Sequence, residues 1–408
     1  MALTVLVNAG PWLPVPPSNY GGVENLLSYL IPELCKLGHR VLLATVGDSR
    51  IREVDEADRL SLFGEGQLRH IAEPYCDVVG IAHAHMQRVV KAIRETPGID
   101  VIHDMLEVVG PSVLAALGPG HPPVLHSMQW NPACHRDFYR SFDGGGRVFF
   151  NCISEPQLDS LDDNLRRLTL GMVHNAVDPS VFRADVPVGD YFLTLARFTS
   201  DKGQDIAARI CRDLGAPLRM AGTVAGIETP ELLDKELADE HSPVHQNKDA
   251  QYYLSEVRPY EDERISWVGS VGGEQKIKLL AGARALLMPI RWEEPFGMAV
   301  IEALACGTPV VAMRRGAMPV IIQDGRNGFL AGGEGEFRRR VGQVGRISRE
   351  ACRQSVLERF SAAEMAVRYS ELYQQVIAAA SRDGSPNGGP GGNGTRCCAD
   401  LSQSPGFA

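Results

Sequence analysis

The chain has 408 residues, 44% of them hydrophobic, with a formal net charge of −9. This length predicts two or three domain-sized units with more than one apolar core. An acidic chain is poorly suited to nucleic acid, which is bound by neutralising phosphates, and no apolar run approaches the roughly 20 residues of a membrane span.

Strand-like runs alternate with helical patterns from the first residues onward. The predicted strands of the first unit are residues 3–8, 40–45, 101–103, 124–127 and 148–153. Apolar residues at helical spacing predict a helix over 23–37, in which Pro32 is expected to cause an interruption. This alternation favours a parallel sheet with crossover helices.

A second alternating pattern begins near residue 191, after a connection rich in Asp, Pro and Gly at 177–189. Its predicted strands are 191–196, 218–221, 265–268, 285–289 and 310–312, with a helix at 203–214. A long amphipathic helix is predicted for 361–380. The residues from 381 to 408 are dominated by Gly, Pro, Ser and Asn, which predicts a disordered tail.

The segment from Glu294 to Glu302 carries the strongest functional signal. Its two carboxylates are separated by seven residues, and Gly297 and Met298 stand at the predicted start of a helix that Gly307 ends. Backbone amides in a first helical turn lack intrahelical partners and attract anions. Such a helix can hold a nucleotide sugar, with Glu294 on sugar hydroxyls and Glu302 on ribose hydroxyls.

A second group of charged residues lies in Arg197-Phe-Thr-Ser-Asp-Lys-Gly203, between a predicted strand and a predicted helix. Both Arg197 and Lys202 can therefore face the crevice at the carboxyl edge of the sheet, where open α/β sheets bind ligands. A departing nucleoside diphosphate gains negative charge, which these cations can stabilise.

Together these segments resemble the retaining glycosyltransferases of family 4, which have the GT-B fold. The match includes Glu294-Pro-Phe-Gly-Met-Ala-Val-Ile-Glu302, the following Ala-Cys-Gly-Thr-Pro-Val-Val-Ala, and Asp324-Gly-Arg-Asn-Gly-Phe-Leu330. The resemblance implies an α/β protein with two Rossmann-like domains whose parallel sheets face each other across a cleft. Residues 1–180 would form the acceptor domain and 181–360 the nucleotide-sugar domain, with the helix 361–380 returning to the first domain.

The resemblance also assigns roles to individual residues. The expected catalytic residues are Glu294 and His103, which ends a predicted strand in the cleft. The expected donor-binding residues are Arg197, Lys202, Glu302, Phe296, Gly297, Met298, and the pair Gly21 and Gly22 in Tyr20-Gly-Gly-Val-Glu24. Apart from the resemblance, the strand-end position of His126 and the flat rings of Trp12, Tyr20 and Trp130 make these residues candidate acceptor contacts.

The implied reaction transfers a sugar from a nucleotide-diphosphate sugar to an acceptor hydroxyl, with retention at the anomeric carbon. The metal-dependent glycosyltransferases normally carry Asp-x-Asp, which is absent from this sequence, so we expect no metal and no cofactor beyond the donor. A small soluble acceptor is expected because no membrane span is present. A cytoplasmic location is expected because the nine cysteines, an odd number, occur without a basic leader. The sequence leaves the oligomeric state open.

Three alternatives remain open on the sequence. Carboxylates roughly 6.5–9.5 Å apart would also suit an inverting glycoside hydrolase. A nucleotide-sugar epimerase of the same fold would act without an acceptor. A nucleotide-sugar-binding protein without catalytic activity would keep the same binding residues.

Overall fold

The computed structural model describes residues 1–19, 21–70, 75–182 and 186–383. The predictions for Tyr20 and for residues 384–408 of the tail lie outside the described residues.

The first unit is built on a seven-stranded parallel sheet in the order β3-β2-β1-β4-β5-β6-β7. Its strands are β1 (Thr4–Asn8), β2 (Arg40–Thr45), β3 (Arg59–Ser61), β4 (Val101–Asp104), β5 (Val124–Ser127), β6 (Val148–Cys152) and β7 (Thr169–Met172). Its helices are α1 (Gly22–Lys36), α2 (Tyr75–Glu95), α3 (Val109–Ala115), α4 (Arg136–Ser141), α5 (Glu155–Asp159) and α6 (Asp163–Leu168). Continuous apolar runs such as that of β1 suit central strands covered on both faces.

The second unit has a six-stranded parallel sheet in the order β10-β9-β8-β11-β12-β13. Its strands are β8 (Phe192–Leu195), β9 (Leu218–Ala221), β10 (Ile265–Trp267), β11 (Leu286–Met288), β12 (Val310–Met313) and β13 (Gly328–Ala331). Its helices are α7 (Gln204–Leu214), α8 (Pro230–Ala238), α9 (Lys248–Tyr252), α10 (Gly273–Gly282), α11 (Met298–Ala305), α12 (Met318–Ile321), α13 (Glu334–Val341) and α14 (Arg349–Arg359).

Short helical turns complete the two units. The 3-10 turns are Glu56–Asp58, Leu68–His70, Pro132–His135, Gly144–Gly146, Ser200–Lys202, Pro243–Gln246, Arg258–Tyr260 and Val344–Arg346, and Tyr253–Val257 forms a π-helical turn.

Both sheets reverse their strand order at one place, between β1 and β4 in the first unit and between β8 and β11 in the second. Chain segments that leave neighbouring strands there diverge to opposite faces of the sheet and open a crevice at the carboxyl edge. The loop after β1 and the loop after β8 therefore start at the positions where each sheet is expected to bind a ligand.

The last helix, α15 (Ala362–Asp383), returns to the first unit, as the predicted fold class requires. The chain crosses between the units twice, side by side, since Val177 and Ser361 form an isolated parallel bridge. Tyr369 and Tyr373 of α15 are buried in the apolar cluster that also contains residues of α1 and β1. Burial of this helix face holds α15, which follows the second unit in the chain, on the first unit.

Most predicted strands are found within one or two residues of their expected bounds. The helix after β1 continues through Pro32 without a break, so the predicted interruption is wrong. Leu30, Ile31 and Leu34 are all buried, and their packing holds the helix on both sides of the proline. The short strands β3, β7 and β13 were not predicted.

Candidate functional site

A cleft lies between the two units, at the carboxyl edges of both sheets. The loop after β1 and the start of α1 form one wall, and the loop after β8 with the first turns of α10 and α11 forms the other. Its lining residues are Asn19, Gly21, Gly22, Asn25, Leu195, Ala196, Arg197, Gly222, Ser270, Val271, Lys276, Met298, Ala299 and Glu302. The predicted donor residues Arg197, Glu302, Met298, Gly21 and Gly22 are thus brought together.

The start of α11 faces this cleft. Gly297 precedes the helix with φ 109°, a backbone conformation that side chains disfavour. A Cβ at this position would lie 2.7 Å from Met318 Cε. Met298 and Ala299 follow in the first turn and line the cleft, so their backbone N–H groups are available to an anion at this helix end.

Glu302 lies deeper in the same wall and forms an ion pair with a residue that sequence reasoning missed. Lys276 Nζ lies 2.8 Å from Glu302 Oε1, and the two side chains are only 11% and 5% exposed. Lys276 is in the first turn of α10, just beyond the loop that follows β10. That position at the carboxyl edge was the available signal, but nothing in the sequence pairs residues 276 and 302.

Lys202 and Glu294 form a second ion pair. Lys202 Nζ lies 2.5 Å from Glu294 Oε2 and 4.5 Å from the centre of the Trp292 ring, whose Nε1 donates to the same carboxylate oxygen at 3.2 Å. The sequence prediction gave these residues separate ligands, a phosphate and a sugar. In the structure each is the partner of the other.

The turn that carries Lys202 is pressed against the end of β11. Gly203 has φ 72°, and a Cβ there would overlap the carbonyl oxygen of Pro289. Only glycine fits this close approach, which brings Lys202 beside the segment that contains Trp292 and Glu294.

Phe296 does not line the cleft, contrary to its donor assignment. Its ring is 2% exposed and lies 5.9 Å from that of His174 and 5.8 Å from that of Phe360. Beside it, Ser154 Oγ of the first unit donates to the Pro295 carbonyl at 2.7 Å. Phe296 therefore packs in the junction between the units, where its apolar ring is covered from both sides.

The catalytic assignment of His103 is also corrected by its surroundings. The ring is fully buried, with Nδ1 2.7 Å from the Tyr373 hydroxyl and Nε2 2.7 Å from the Ser127 hydroxyl. Because Ser127 donates to Asn151 Oδ1, it accepts from His103 Nε2–H, and Tyr373 donates to Nδ1. Burial lowers the pKa of His103 to about 3. A neutral ring with both nitrogens occupied is a structural group under α15 and does not reach the cleft.

The described acceptor candidates lie in the first unit and are not among the residues that line the cleft. His126 is fully buried, with Nδ1 2.5 Å from Asp104 Oδ2. Trp130 is partly exposed, lies against His126 and donates to the Tyr139 hydroxyl at 3.2 Å. Trp12 is partly buried against the apolar cluster that contains Tyr139 and Phe150. Their acceptor roles stay predictions.

Glu24, in the first turn of α1, is buried directly behind the glycines of the cleft wall. Its side chain is 6% exposed, and burial raises its pKa to about 7. Gly22, two residues before it, and Asn25, the next residue, line the cleft.

Two properties were searched across the described ranges. There, no three His, Cys, Asp or Glu side chains are arranged to hold a metal ion. No helix in that part of the chain has the length and apolar character needed to cross a membrane.

The second unit matches a known family. Residues 189–336 fit the family model described as Glycosyl transferases group 1. A D-inositol 3-phosphate glycosyltransferase of Streptomyces scabiei is 48% identical over 63 residues, which are 15% of this chain and 14% of that protein. The chain spans less than two thirds of the length of the curated relatives it matches.

The whole architecture matches solved structures of the predicted fold class. Sucrose-phosphate synthase of Thermosynechococcus elongatus has a TM-score of 0.70 at 17% identity, over 92% of this chain and 100% of that one. HepE of Anabaena in complex with UDP-glucose has a TM-score of 0.61 at 15% identity, over 91% and 100%. The prediction of two Rossmann-like units in the GT-B arrangement is confirmed.

We expect the Lys276–Glu302 pair to be critical for folding as well as for ligand binding. Lys276→Met leaves a buried carboxylate unpaired and should lower the free energy of unfolding by about 3–5 kcal/mol. Replacing both residues, Lys276→Met with Glu302→Leu, should recover most of the loss. Lys278→Met removes an exposed pair with Glu274 on the same helix and should have no measurable effect. Urea denaturation measures all three, and equal losses for Lys276→Met and Lys278→Met would contradict this account.

The buried Glu24 should make stability depend on pH. Because its pKa is about 7 when folded and near 4.5 when unfolded, the unfolded chain releases the proton first as pH rises. Stability therefore falls by about 3 kcal/mol between pH 4.5 and 7. Glu24→Gln should remove this loss and stabilise the protein at pH 8 but not at pH 4. Glu33→Gln, at an ion-paired position of α1, is the control; parallel pH profiles for wild type and Glu24→Gln would argue against the burial effect.

Proposed function

We propose that this protein is a retaining, metal-independent glycosyltransferase that moves a sugar from a nucleotide-diphosphate sugar to a hydroxyl of a small acceptor. The observation that carries the proposal is one cleft at the switch points of both sheets, lined by Arg197, Lys276, Glu302 and the first turn of α11. The family match of residues 189–336 supports the same reaction class.

The charges of the cleft fit a diphosphate at one end and hydroxyl groups at the other. Arg197 lines the cleft and is exposed, and the first turn of α11 offers backbone N–H groups. A diphosphate bound between them lies within the field of fixed positive groups that need no reorganisation as the leaving group gains charge. This is the role that a divalent ion has in metal-dependent transferases, and we assign it to side chains and backbone.

The two ion pairs can respond differently to the donor. Lys202 is shared with Glu294, so an arriving phosphate can take the lysine while the carboxylate turns to sugar hydroxyls. Lys276 stays with Glu302 because that pair is more deeply buried. Glu302 then presents its remaining oxygen to the cleft, where the ribose hydroxyls of the donor would bind.

Among the alternatives, the hydrolase fits this geometry less well. A hydrolase needs one carboxyl group that donates a proton, but Glu294 and Glu302 each accept from a lysine ammonium. An epimerase or a binding protein would use the same donor contacts, and only turnover distinguishes them.

In a retaining transfer the departing phosphate oxygen accepts the proton of the acceptor hydroxyl, so no protein nucleophile is required.

A transfer assay tests the proposal. The donors are UDP-glucose, which HepE binds, and the GDP, ADP and dTDP sugars; the acceptors are D-inositol 3-phosphate, inositol and D-glucose. We expect nucleoside diphosphate release only with donor and acceptor together, unchanged by excess EDTA, and a product whose anomeric configuration by NMR equals that of the donor. Conversion of donor without acceptor favours the epimerase or hydrolase, and loss of activity with EDTA contradicts metal independence.

Glu294→Gln separates the sugar contact from the phosphate contact. It should lower kcat about a hundredfold, since the lost carboxylate contact matters most as the bond breaks. The Kd for UDP should stay within about threefold, because Lys202 is freed from its partner and remains available to phosphate. Glu293→Gln is the matched control, an exposed carboxylate one residue away that pairs with Arg315. Similar kcat values for both variants would remove Glu294 from the mechanism.

A further inference from the structure

A chain of buried polar groups ends at His126, and neither the family motifs nor the cleft explains it. Asn8, Asp104 and His126 stand at the carboxyl ends of the adjacent strands β1, β4 and β5, and all three are fully buried. Asn8 Nδ2 lies 2.6 Å from Asp104 Oδ1, and His126 Nδ1 lies 2.5 Å from Asp104 Oδ2. His85, 1% exposed, continues the chain with Nε2 2.7 Å from Asn8 Oδ1.

Each hydrogen bond in this chain has a defined direction. The amide nitrogen of Asn8 can only donate, so it donates to Asp104 Oδ1, which also accepts from Leu106 N at 3.4 Å. Asp104 Oδ2 accepts from the Nδ1–H of His126. With Nδ1 as the donor, a single ring proton is on Nδ1 and the lone pair is on Nε2.

His126 Nε2 is buried without a hydrogen-bond partner in the described part of the chain. The rings of Trp130 and Phe150 lie 5.3 Å from the His126 ring and offer no acceptor or strong donor there. His103, on the neighbouring strand, shows the opposite arrangement, with both ring nitrogens bonded to protein hydroxyls. The two histidines therefore differ in the one property that a ligand would use.

We propose that Asp104 is a positioning residue that keeps the proton on His126 Nδ1, so that Nε2 accepts a hydrogen bond from a hydroxyl of the acceptor. This inference rests on the proposed function and assigns an acceptor contact within it. The proposal places the acceptor beside Trp130, the partly exposed ring that lies against His126, and requires that ring to move aside because His126 itself is buried. Asp104 itself touches no substrate.

The tautomer of wild-type His126 gives the first test and does not depend on activity. In protein with 15N-labelled histidine rings, long-range proton–nitrogen NMR should show His126 protonated at Nδ1 and unprotonated at Nε2. His103 should show the reverse, which makes it an internal reference. A proton on His126 Nε2 in the wild type would overturn the proposal.

Asp104→Asn should reverse the tautomer without changing the shape of the side chain. Asn8 Nδ2 and Leu106 N both donate to the Oδ1 position, so the new amide oxygen must stay there. Its NH₂ group then donates to His126 Nδ1, and the ring proton moves to Nε2. In the serine-protease triad, the same replacement of the aspartate that orients a histidine leaves the geometry intact but gives the wrong tautomer.

The kinetic consequence should be confined to the acceptor. With Nε2 protonated, the ring donates where it had accepted, so the acceptor hydroxyl must turn its oxygen to Nε2 and leave the geometry that suited the wild type. The KM for the acceptor consumed in the transfer assay should therefore rise about tenfold. The donor KM should be unchanged. A reversed tautomer with an unchanged acceptor KM would overturn the inference while leaving glycosyl transfer intact, whereas a wild type that transfers to no acceptor overturns the proposed function itself.

A double variant provides the rescue that a purely structural role would not show. In the double variant Asn8→Asp with Asp104→Asn, the carboxylate at position 8 accepts a hydrogen bond from the NH₂ group at position 104. This bond turns the amide oxygen at position 104 towards His126 Nδ1. The wild-type tautomer and acceptor KM should return. Glu107→Gln removes one negative charge, as Asp104→Asn does, but from an exposed carboxylate three residues after Asp104. It should change neither the tautomer of His126 nor the acceptor KM. Failure of the double variant to restore the KM once the tautomer is restored would contradict the proposal.

Discussion

The strand order of the two sheets is the constraint on which the candidate site depends. In each sheet the strand order reverses beside the first strand of the unit, and each such reversal opens a crevice at the carboxyl edge. The double crossing at Val177 and Ser361, together with the docking of α15 on the first unit, holds these two edges opposite each other. Residues as distant in sequence as Gly22 and Glu302 therefore line one cleft.

Paired charges are the second organising feature. Lysines and carboxylates that we assign to the donor neutralise each other, and the depth of each pair decides what it can do. The Lys202–Glu294 pair is the less buried of the two, as the proposed exchange of its partner for a ligand requires. The Lys276–Glu302 pair is almost enclosed, so it adds to the rigidity of the wall as well as to its charge.

The first unit shows how strand-end side chains of similar sequence context acquire different roles. His103 and Asp104 are consecutive residues of β4 and point to opposite faces of the sheet. One face is covered by Tyr369 and Tyr373 of α15, which occupy the ring of His103. The other face holds Asn8, Asp104 and His126, where Nε2 is left without a partner among the described residues. The contrast directs attention from His103 to His126.

Sequence alone determined the parts of this protein that depend on local patterns. Apolar runs and glycines located the strands β1, β2, β5 and β9, and the segment 294–302 identified a helix start with two carboxylates, because these signals lie within a few residues of one another. Tertiary structure alone decided the faces and partners. Phe296 packs in the junction instead of the cleft, His103 lies under α15, and Lys276 forms an ion pair with Glu302. Each outcome depends on elements brought together from far apart in the chain. The period of a strand shows that neighbouring side chains alternate, but which face will be covered is fixed only when a distant helix docks.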